Sequence, residues 1–257
     1  GVLVALIVPF LGNTLGAALV FLMRHGMSER FTKALLGFAA GVMIAASVWS
    51  LITPALEAAE GGPVPAWAPA AVGFLGGMLL LLAIDHFTPH LHVGSDEPEG
   101  PVTTLKKPTM MLFALAIHNL PEGMAVGVVL AGFLAGDPTI TLASVVALSL
   151  GIAIQNVPEG AVVSLPLTAN GMSRPKAFLA GTLCGAVEPV GAVLMVAITG
   201  LVTPLLPYVL AFAAGAMMYV VTEELIPQTQ QGRHTNIGTI GVAFGFVLMM
   251  VLDVALG

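Results

Sequence analysis

The feature of this sequence that most restricts its fold is a succession of apolar stretches, each long enough to cross a membrane. Eight can be read along the chain, at residues 1–23, 31–53, 66–88, 109–131, 141–169, 175–200, 205–227 and 236–256. A helix needs about 20 apolar residues to cross the hydrocarbon core of a bilayer. Charged residues make up only 9% of the chain, whereas about a quarter is usual in a soluble domain. The sequence therefore predicts an integral membrane protein.

The apolar stretches are continuous, and this pattern predicts helices. Only helices and closed barrels satisfy the backbone inside lipid, and barrel strands would alternate apolar with polar residues. We expect an all-α protein with one transmembrane domain over residues 1–257. Small residues four apart let helices approach closely, and such faces suit either static packing or a sliding contact. They recur as Gly12/Gly16, Gly37/Gly41, Gly123/Gly127, Gly181/Gly185 and Gly241/Gly245.

The basic residues predict how the helices are oriented. With helix ends a few residues from the bounds given above, all of them fit in the first, third, fifth and seventh connections, which share one side of the membrane, so that no lysine or arginine is expected inside a span. They are Arg24, Arg30, Lys33, Lys106, Lys107, Arg174, Lys176 and Arg233. Basic connections are enriched on the cytoplasmic side. We therefore expect a cytoplasmic loop at 89–108 and both termini outside the cytoplasm.

Internal similarity relates the first three predicted helices to the last three. The paired segments are FAAGVM at 38–43 with FAAGAM at 212–217, GMLLLLAID at 77–85 with GFVLMMVLD at 245–253, and NTLGAALVFLM at 13–23 with EPVGAVLMVAI at 188–198. Asp85 thereby matches Asp253, and Asn13 matches Glu188. Equivalent helices are an odd number apart and run in opposite directions. The pattern predicts an inverted repeat around a central antiparallel pair, which is typical of transporters.

Two related polar motifs lie in the central pair, AIHNLPEG at 116–123 and AIQNVPEG at 153–160. Residues three and four apart share a helix face, so His118 and Asn119 lie beside Glu122. Gln155, Asn156 and Glu159 repeat that arrangement. Pro121 and Pro158 are expected to kink the helices and to free backbone carbonyls. Antiparallel packing should bring the two polar faces together.

Carboxylates inside a membrane need a partner or a purpose. A charge at the bilayer centre costs about 2.5–3.5 kcal/mol on insertion scales. Without a cationic side chain nearby, Glu122 and Glu159 indicate a metal ion, protons or a cationic substrate. An imidazole beside them favours zinc or a similar divalent metal, because zinc binds nitrogen and carboxylate oxygen.

Two other functions compete with metal transport. A proton-coupled carrier of an organic cation could use the same buried carboxylates. An intramembrane metalloenzyme is disfavoured, because the spans contain neither an HExxH motif nor a nucleophile beside the polar motifs. The chain also has no GxxxxGK[ST] motif, which indicates secondary or facilitated transport. We expect no organic cofactor and no nucleic-acid partner.

HNLPEG followed by QNVPEG, in the fourth and fifth of eight helices, resembles the ZIP (Zrt/Irt-like protein) family of divalent metal transporters, and most closely its bacterial GufA-like branch. The resemblance implies a binuclear metal site at mid-membrane in which Glu122 and Glu159 bridge both ions. One position would use His118, Glu122, Gln155 and Glu159, with the Met43 thioether nearby. The other would use Asn119, Glu122, Asn156, Glu159 and Glu188.

The resemblance also implies a mechanism and a location. Zn²⁺, with Cd²⁺, Fe²⁺ and Mn²⁺ as related ions, would move into the cytoplasm by alternating access. Predicted helices 1, 4, 5 and 6 would carry the metal and slide against helices 2, 3, 7 and 8. The protein would lie in the inner membrane of a bacterium, with membrane lipid around it and a homodimer as one expected assembly.

Further candidates lie near the predicted helix ends. The segment DHFTPHLH at 85–92 is interpreted either as a metal-binding loop or as a solvated polar loop. Glu223 and Glu224 resemble exit-path ligands of the family, and Glu224 is the better candidate. Glu57 and Asp253 could attract cations on the outer side. The candidates in the first segment are Asp85, His86, His90 and His92.

Overall fold

The computed structural model describes residues 2–23, 27–91, 100–105, 107–169, 171–199 and 205–256. Within these residues it has eight helices that are long and apolar enough to cross a membrane. They are α1 (Val2–Phe21), α2 (Glu29–Ala58), α3 (Trp67–Phe87), α4 (Lys107–Leu134), α5 (Leu142–Ala169), α6 (Arg174–Ile198), α7 (Leu206–Gln230) and α8 (Ile237–Leu256). The predicted all-helical membrane fold is therefore confirmed.

Local sequence signals set several of the helix ends. Ser28 caps α2, where its hydroxyl accepts a hydrogen bond from the amide of Phe31 at 3.3 Å. Pro175 and Pro207 stand in the first turns of α6 and α7, where proline has no hydrogen bond to lose. Gly136 follows α4 with a φ of +76°, a left-handed conformation that glycine adopts without a steric penalty.

Four of the described helices change geometry along their length, and in α1 the last turn, Ala18–Phe21, is a 3₁₀ helix. In α2 the segment Ser47–Ile52 is π-helical, and in α7 the segment Val221–Leu225 is π-helical. Such segments are rare and frequently mark functional sites. α6 is interrupted at Ala186, just before the turn that carries Glu188. By contrast, α4 and α5 continue as helices through Pro121 and Pro158.

The helices pack as four close pairs. α1 packs against α5, α4 against α6, α2 against α8, and α3 against α7. In each pair a glycine meets the backbone of the neighbouring helix. In the pair of α4 and α6, for example, a Cβ at Gly123 would lie 2.7 Å from the Cα of Glu188. We call α1, α4, α5 and α6 the motif group, because they include both polar motifs. We call α2, α3, α7 and α8 the frame group.

The two groups meet mainly through apolar side chains. α4 packs on α7, and α5 packs on both α2 and α8. The main buried cluster takes side chains from both groups, among them Met43, Val129, Ile152, Met217 and Met249. The core of the protein therefore coincides with the interface between the groups.

Basic residues near the starts of α2 and α6 correct the expectation that no lysine or arginine lies inside a span: they are Arg30, Lys33, Arg174 and Lys176. Of these, Lys33 is buried. It lies in the second turn of α2 and is 4% exposed. Its ammonium group contacts Glu29 Oε1 at 2.8 Å and donates to the carbonyl oxygen of Arg233 at 2.9 Å. Because Arg233 lies between α7 and α8, this contact puts the start of α2 on the same side as that connection. We call this side the basic face.

Candidate metal site

The two polar motifs meet between α4 and α5. Gln155 Nε2 donates a hydrogen bond to Glu122 Oε1 at 2.8 Å. His118, Asn119, Glu122, Gln155 and Asn156 are all buried. Antiparallel packing of the two helices thus brings side chains from the repeated motif into direct contact, as their spacing predicts.

Several carboxylate oxygens at this place have no hydrogen-bond partner among the described residues. They are Glu122 Oε2, Glu159 Oε1 and both side-chain oxygens of Glu188. Glu122 and Glu188 are each 1% exposed. Buried polar atoms in folded proteins nearly always have a partner, so each exception calls for an explanation such as an ion. These three glutamates are therefore the strongest candidates to bind a cation.

Asparagines fasten α1 to both sides of this region. Asn156 Nδ2 donates to the carbonyl oxygen of Pro9 at 3.4 Å, which joins α5 to α1. Asn13 Nδ2 donates to the carbonyl oxygen of Gly181 at 2.9 Å, which joins α1 to α6. Asn13 is therefore engaged in helix packing, and α1 and α6 both flank the central pair.

His118 faces the frame group in this conformation. Its Nδ1 contacts Glu224 Oε2, and Gln228 Nε2 donates to the other oxygen of Glu224 at 2.8 Å. Glu224 belongs to the π-helical segment of α7 and is 4% exposed, whereas Glu223 is exposed. The irregular turn thus directs one of the two adjacent carboxylates toward the motif.

A small cavity connects these side chains. Its volume is about 30 Å³, which is enough for a water-sized species. It is lined by aliphatic side chains and by five polar ones, and the described lining includes neither lysine nor arginine; the polar side chains are His118, Asn119, Glu159, Glu224 and Gln228. Oxygen and nitrogen atoms with lone pairs, surrounded by apolar walls, suit a partly dehydrated cation.

The predicted ligands do not form a closed metal cage in this conformation. Among the described residues, no three His, Cys, Asp or Glu side chains converge as a metal-binding group. Glu122 is held by Gln155, and His118 contacts Glu224. Met43 is fully buried in the apolar cluster between the two groups. The donors are close together, but a bound ion would have to draw some of them away from protein partners.

Two of the candidates near the end of α3, Asp85 and His90, form a buried polar cluster with Tyr219. His90 is fully buried and contacts Asp85 at 2.9 Å, while the hydroxyl of Tyr219 donates to Asp85 at 3.0 Å. The interpretation as a solvated loop is therefore wrong for His90, whose imidazole is packed against protein. His86 is exposed, and His92 lies outside the described residues.

Asp253 and Glu57 differ in their environments. Asp253 is 8% exposed and accepts a hydrogen bond from the Ser50 hydroxyl at 2.6 Å. Glu57 lies on the last turn of α2 and is exposed. Of the two predicted cation attractors, only Glu57 lies on the open surface.

Reasoning from the sequence missed four polar residues that structure these sites. Gln228 and Lys33 each lie four residues after the glutamate that they contact, a helical spacing that would have identified them. Ser50 and Tyr219 bind aspartates from distant helices, and no local spacing points to them.

Comparison with known proteins identifies the family. The model of the family described as ZIP Zinc transporter matches residues 107–253. The chain is 42% identical to zinc transporter ZIPB of Bordetella bronchiseptica, over 96% of this chain and 79% of that protein. It is 40% identical to zinc transporter GufA of Myxococcus xanthus, over 81% of each. It is 37% identical to zinc transporter ZIP11 of Xenopus tropicalis, over 94% of this chain and 93% of that protein.

These matches confirm the resemblance that the two polar motifs predict, and they decide against both the organic-cation carrier and the metalloenzyme. The chain belongs to the ZIP family of zinc transporters: it is an integral membrane transporter rather than an enzyme, and zinc is its substrate.

Proposed function

We propose that zinc crosses the membrane through a binuclear site between α4, α5 and α6. One position uses His118, Glu122, Gln155 and Glu159, and the other uses Asn119, Glu122, Asn156, Glu159 and Glu188. The observation that carries this proposal is the set of buried carboxylate oxygens without described hydrogen-bond partners on Glu122, Glu159 and Glu188. A divalent cation would neutralise these charges and replace the hydrogen bonds that they lack.

The differences between the two motifs bear on selectivity. Gln155 stands where its counterpart in the other motif is His118, and a neutral amide oxygen binds zinc less strongly than a nitrogen or carboxylate ligand does. We propose that this composition admits Cd²⁺, Fe²⁺ and Mn²⁺ besides zinc. Met43 would supply its thioether only after a movement that opens the apolar cluster around it.

We further propose that the motif group is built as an inverted repeat. The packing of α1 on α5 mirrors that of α6 on α4. A Cβ at Gly160 would overlap the carbonyl oxygen of Asn13, and a Cβ at Gly123 would overlap the carbonyl oxygen of Glu188. The two glycines are equivalent in the repeated motif, and Asn13 aligns with Glu188. Equivalent atoms therefore meet in both halves, which supports the repeat.

The frame group supports the same symmetry. A Cβ at Gly77 would overlap the carbonyl oxygen of Phe212, and a Cβ at Gly245 would overlap that of Phe38. Gly77 aligns with Gly245, and Phe38 aligns with Phe212. The π-helical segments also correspond, since each begins four residues after the last residue of its repeated segment, 38–43 or 212–217.

This architecture supports our proposal of alternating access by movement of the motif group against the frame group. Close backbone contacts at glycines hold each close pair of helices together, whereas the closest glycine contact between the groups meets the flexible side chain of Met249. In the present conformation the site cavity shares Leu36, Val162 and Gln228 with a second cavity at the basic face. We infer that the site communicates with this face here and with the opposite face in another state.

The charge distribution supports a direction of transport. Basic connections are typical of the cytoplasmic side, so we propose that the basic face is cytoplasmic and that both termini lie outside. Zinc would then enter at the opposite face of a bacterial inner membrane and leave at the basic face. The exposed Glu57 would attract cations to the entrance.

Uptake of ⁶⁵Zn²⁺ into proteoliposomes tests the site. Glu159→Ala removes a carboxylate from both metal positions, and we expect uptake to fall to the level of empty liposomes. Glu223→Ala removes an exposed carboxylate and is the matched control, with uptake close to wild type. Normal uptake by Glu159→Ala would contradict the site.

Replacing Asn156 or Glu188 should reduce occupancy of the second position more than the first, as measured by anomalous scattering from Cd²⁺-soaked crystals.

A further inference from the structure

Lys33 is a buried cation that the transport site does not use. Lysine is almost never fully buried without a partner, and this side chain is 5% exposed. It contacts Glu29 Oε1 at 2.8 Å and the carbonyl oxygen of Arg233 at 2.9 Å. Glu29 lies one turn earlier on the same helix, and its side chain is 62% exposed. An ion pair with one buried and one exposed member thus lies at the basic face.

The position of this pair relates it to the metal route. It lines a cavity of about 340 Å³ at the basic face, which we call the mouth cavity. Leu36, Val162 and Gln228 line both the mouth cavity and the cavity beside Glu159 and Glu224. Lys33 and Leu36 are three residues apart and share a face of α2. A cation that moves between the central site and the basic face would therefore pass the pair.

The charge of the mouth cavity depends on this pair alone among the described residues that line it. Thr32, Gln231 and Gly232 contribute only uncharged groups, so Glu29 and Lys33 are its two ionisable side chains. Paired, they leave the cavity neutral. A lone carboxylate would attract and hold a divalent cation, whereas a lone ammonium group would repel it.

We infer that Lys33 neutralises Glu29 so that zinc passing through the mouth cavity is neither captured nor repelled there. This inference rests on the proposed route through Glu159. Lys33 is a positioning residue in this account, since it acts on the ion through the charge of Glu29 and does not bind it. The contact with Arg233 supports another function, a fastening between α2 and the connection of α7 with α8, and the experiment must separate the two.

A charge-balance series separates them by rescue. We compare initial Zn²⁺ uptake into proteoliposomes for wild type, Lys33→Met, Glu29→Gln, the double variant and Lys33→Arg. Each neutralising single substitution should slow uptake by about threefold, because a change of that size matches the interaction energy of a partly exposed ion pair. The double variant should return to the wild-type rate because the cavity is neutral again. Lys33→Arg keeps the charge and should transport normally.

Equilibrium binding gives a second readout that a fastening would not change. Titration calorimetry with Zn²⁺ on detergent-solubilised Lys33→Met should show one additional weak site, provided by the unpaired Glu29. The double variant should lose that site. Glu29→Gln changes an exposed side chain and should fold normally, so its slower uptake tests the charge balance even if Lys33→Met fails to fold.

Three outcomes would overturn the inference. Wild-type uptake by both single variants would show that the charge is irrelevant, and a double variant as slow as either single would show a structural fastening. Normal uptake by Glu159→Ala would remove the route itself and, with it, the proposed site. If Glu159→Ala is inactive while both single variants transport normally, only the inference about Lys33 is wrong.

Discussion

Contacts inside the two helix groups differ in kind from the contact between them. Within the groups, glycines bring helices together until backbone meets backbone, as at Gly16 against Val157 and at Gly41 against Val242. Between the groups, the closest glycine contact involves a side chain, since a Cβ at Gly151 would meet the sulfur of Met249. Backbone cannot yield without moving a whole helix, whereas methionine has several rotatable bonds. Each close pair of helices is therefore rigid, and the interface between the groups is deformable.

This difference decides between two interpretations of the glycine pattern. Faces of small residues four apart suit static packing or sliding equally well when only the sequence is known. In the described helices, every glycine that would bring a Cβ within 3.0 Å of another helix's backbone contacts a helix of its own group. The glycines therefore serve static packing. The contact available for movement is lined by aliphatic side chains and methionine.

The largest expected effect comes from filling a backbone contact. Gly77→Ala would put a methyl group onto the carbonyl of Phe212 and 2.8 Å from the amide nitrogen of Ala216. We expect α3 and α7 to be forced apart, at a cost of about 3 kcal/mol, with little monodisperse protein after purification. Size-exclusion chromatography and thermal melting measure this loss.

Gly76→Ala is the matched control for that substitution. It lies on the same helix, where a Cβ would be 3.5 Å from the ring of Phe212, an ordinary contact. We expect yield and melting temperature to stay at the wild-type values. Equal melting temperatures of the two alanine variants would contradict the difference between rigid pairs and a deformable interface.

A smaller effect, on movement rather than folding, is expected at the interface. Gly151→Ala meets only the flexible end of Met249, so the protein should fold with a loss of about 1 kcal/mol, the lower end of the cost of an added methyl group. The added methyl group should hinder movement of α5 past α8 and slow zinc uptake by about threefold, which corresponds to ~0.65 kcal/mol in the barrier. Uptake and melting are measured on the same preparation.

Gly160→Ala tests the same helix on its other face. A Cβ there would lie 2.8 Å from the amide nitrogen of Ala17 and would overlap the backbone of Asn13. It should therefore impair folding. The comparison would be reversed if Gly151→Ala unfolded the protein while Gly160→Ala transported zinc at the normal rate.

Most of the fold could be predicted because lipid allows few solutions. Continuous apolar stretches must be helices, and the eight predicted segments correspond to the eight helices of the structure. The irregular turns at Ser47–Ile52 and Val221–Leu225 could not be predicted. Helical spacing predicts which residues share a face, but it does not predict where a turn takes up an extra residue.

The residues of the central site could be predicted, but their contacts in this conformation could not. Helical spacing alone puts His118 beside Glu122, and the antiparallel repeat puts Gln155 opposite. The contact of His118 with Glu224 could not be predicted, because it depends on where the π-helical turn of α7 directs its carboxylates. Lys33 was misplaced for a related reason: a long side chain near a helix end is ordinarily assigned to solvent.

The smallest expected effect concerns two hydroxyl groups that fasten pairs within the frame group. Ser50 binds Asp253 between α2 and α8, and Tyr219 binds Asp85 between α7 and α3. Ser50→Ala and Tyr219→Phe each remove only a hydroxyl, and hydrogen bonds between membrane helices contribute about 0.6 kcal/mol on average. Asp85 keeps its contact with His90, so Tyr219→Phe should lower the melting temperature less than Ser50→Ala.

Because both bonds lie inside one group, neither variant should change the zinc uptake rate per folded molecule. A clear loss of uptake in Ser50→Ala at unchanged stability would show that α2 and α8 move relative to each other and that the frame group is not rigid.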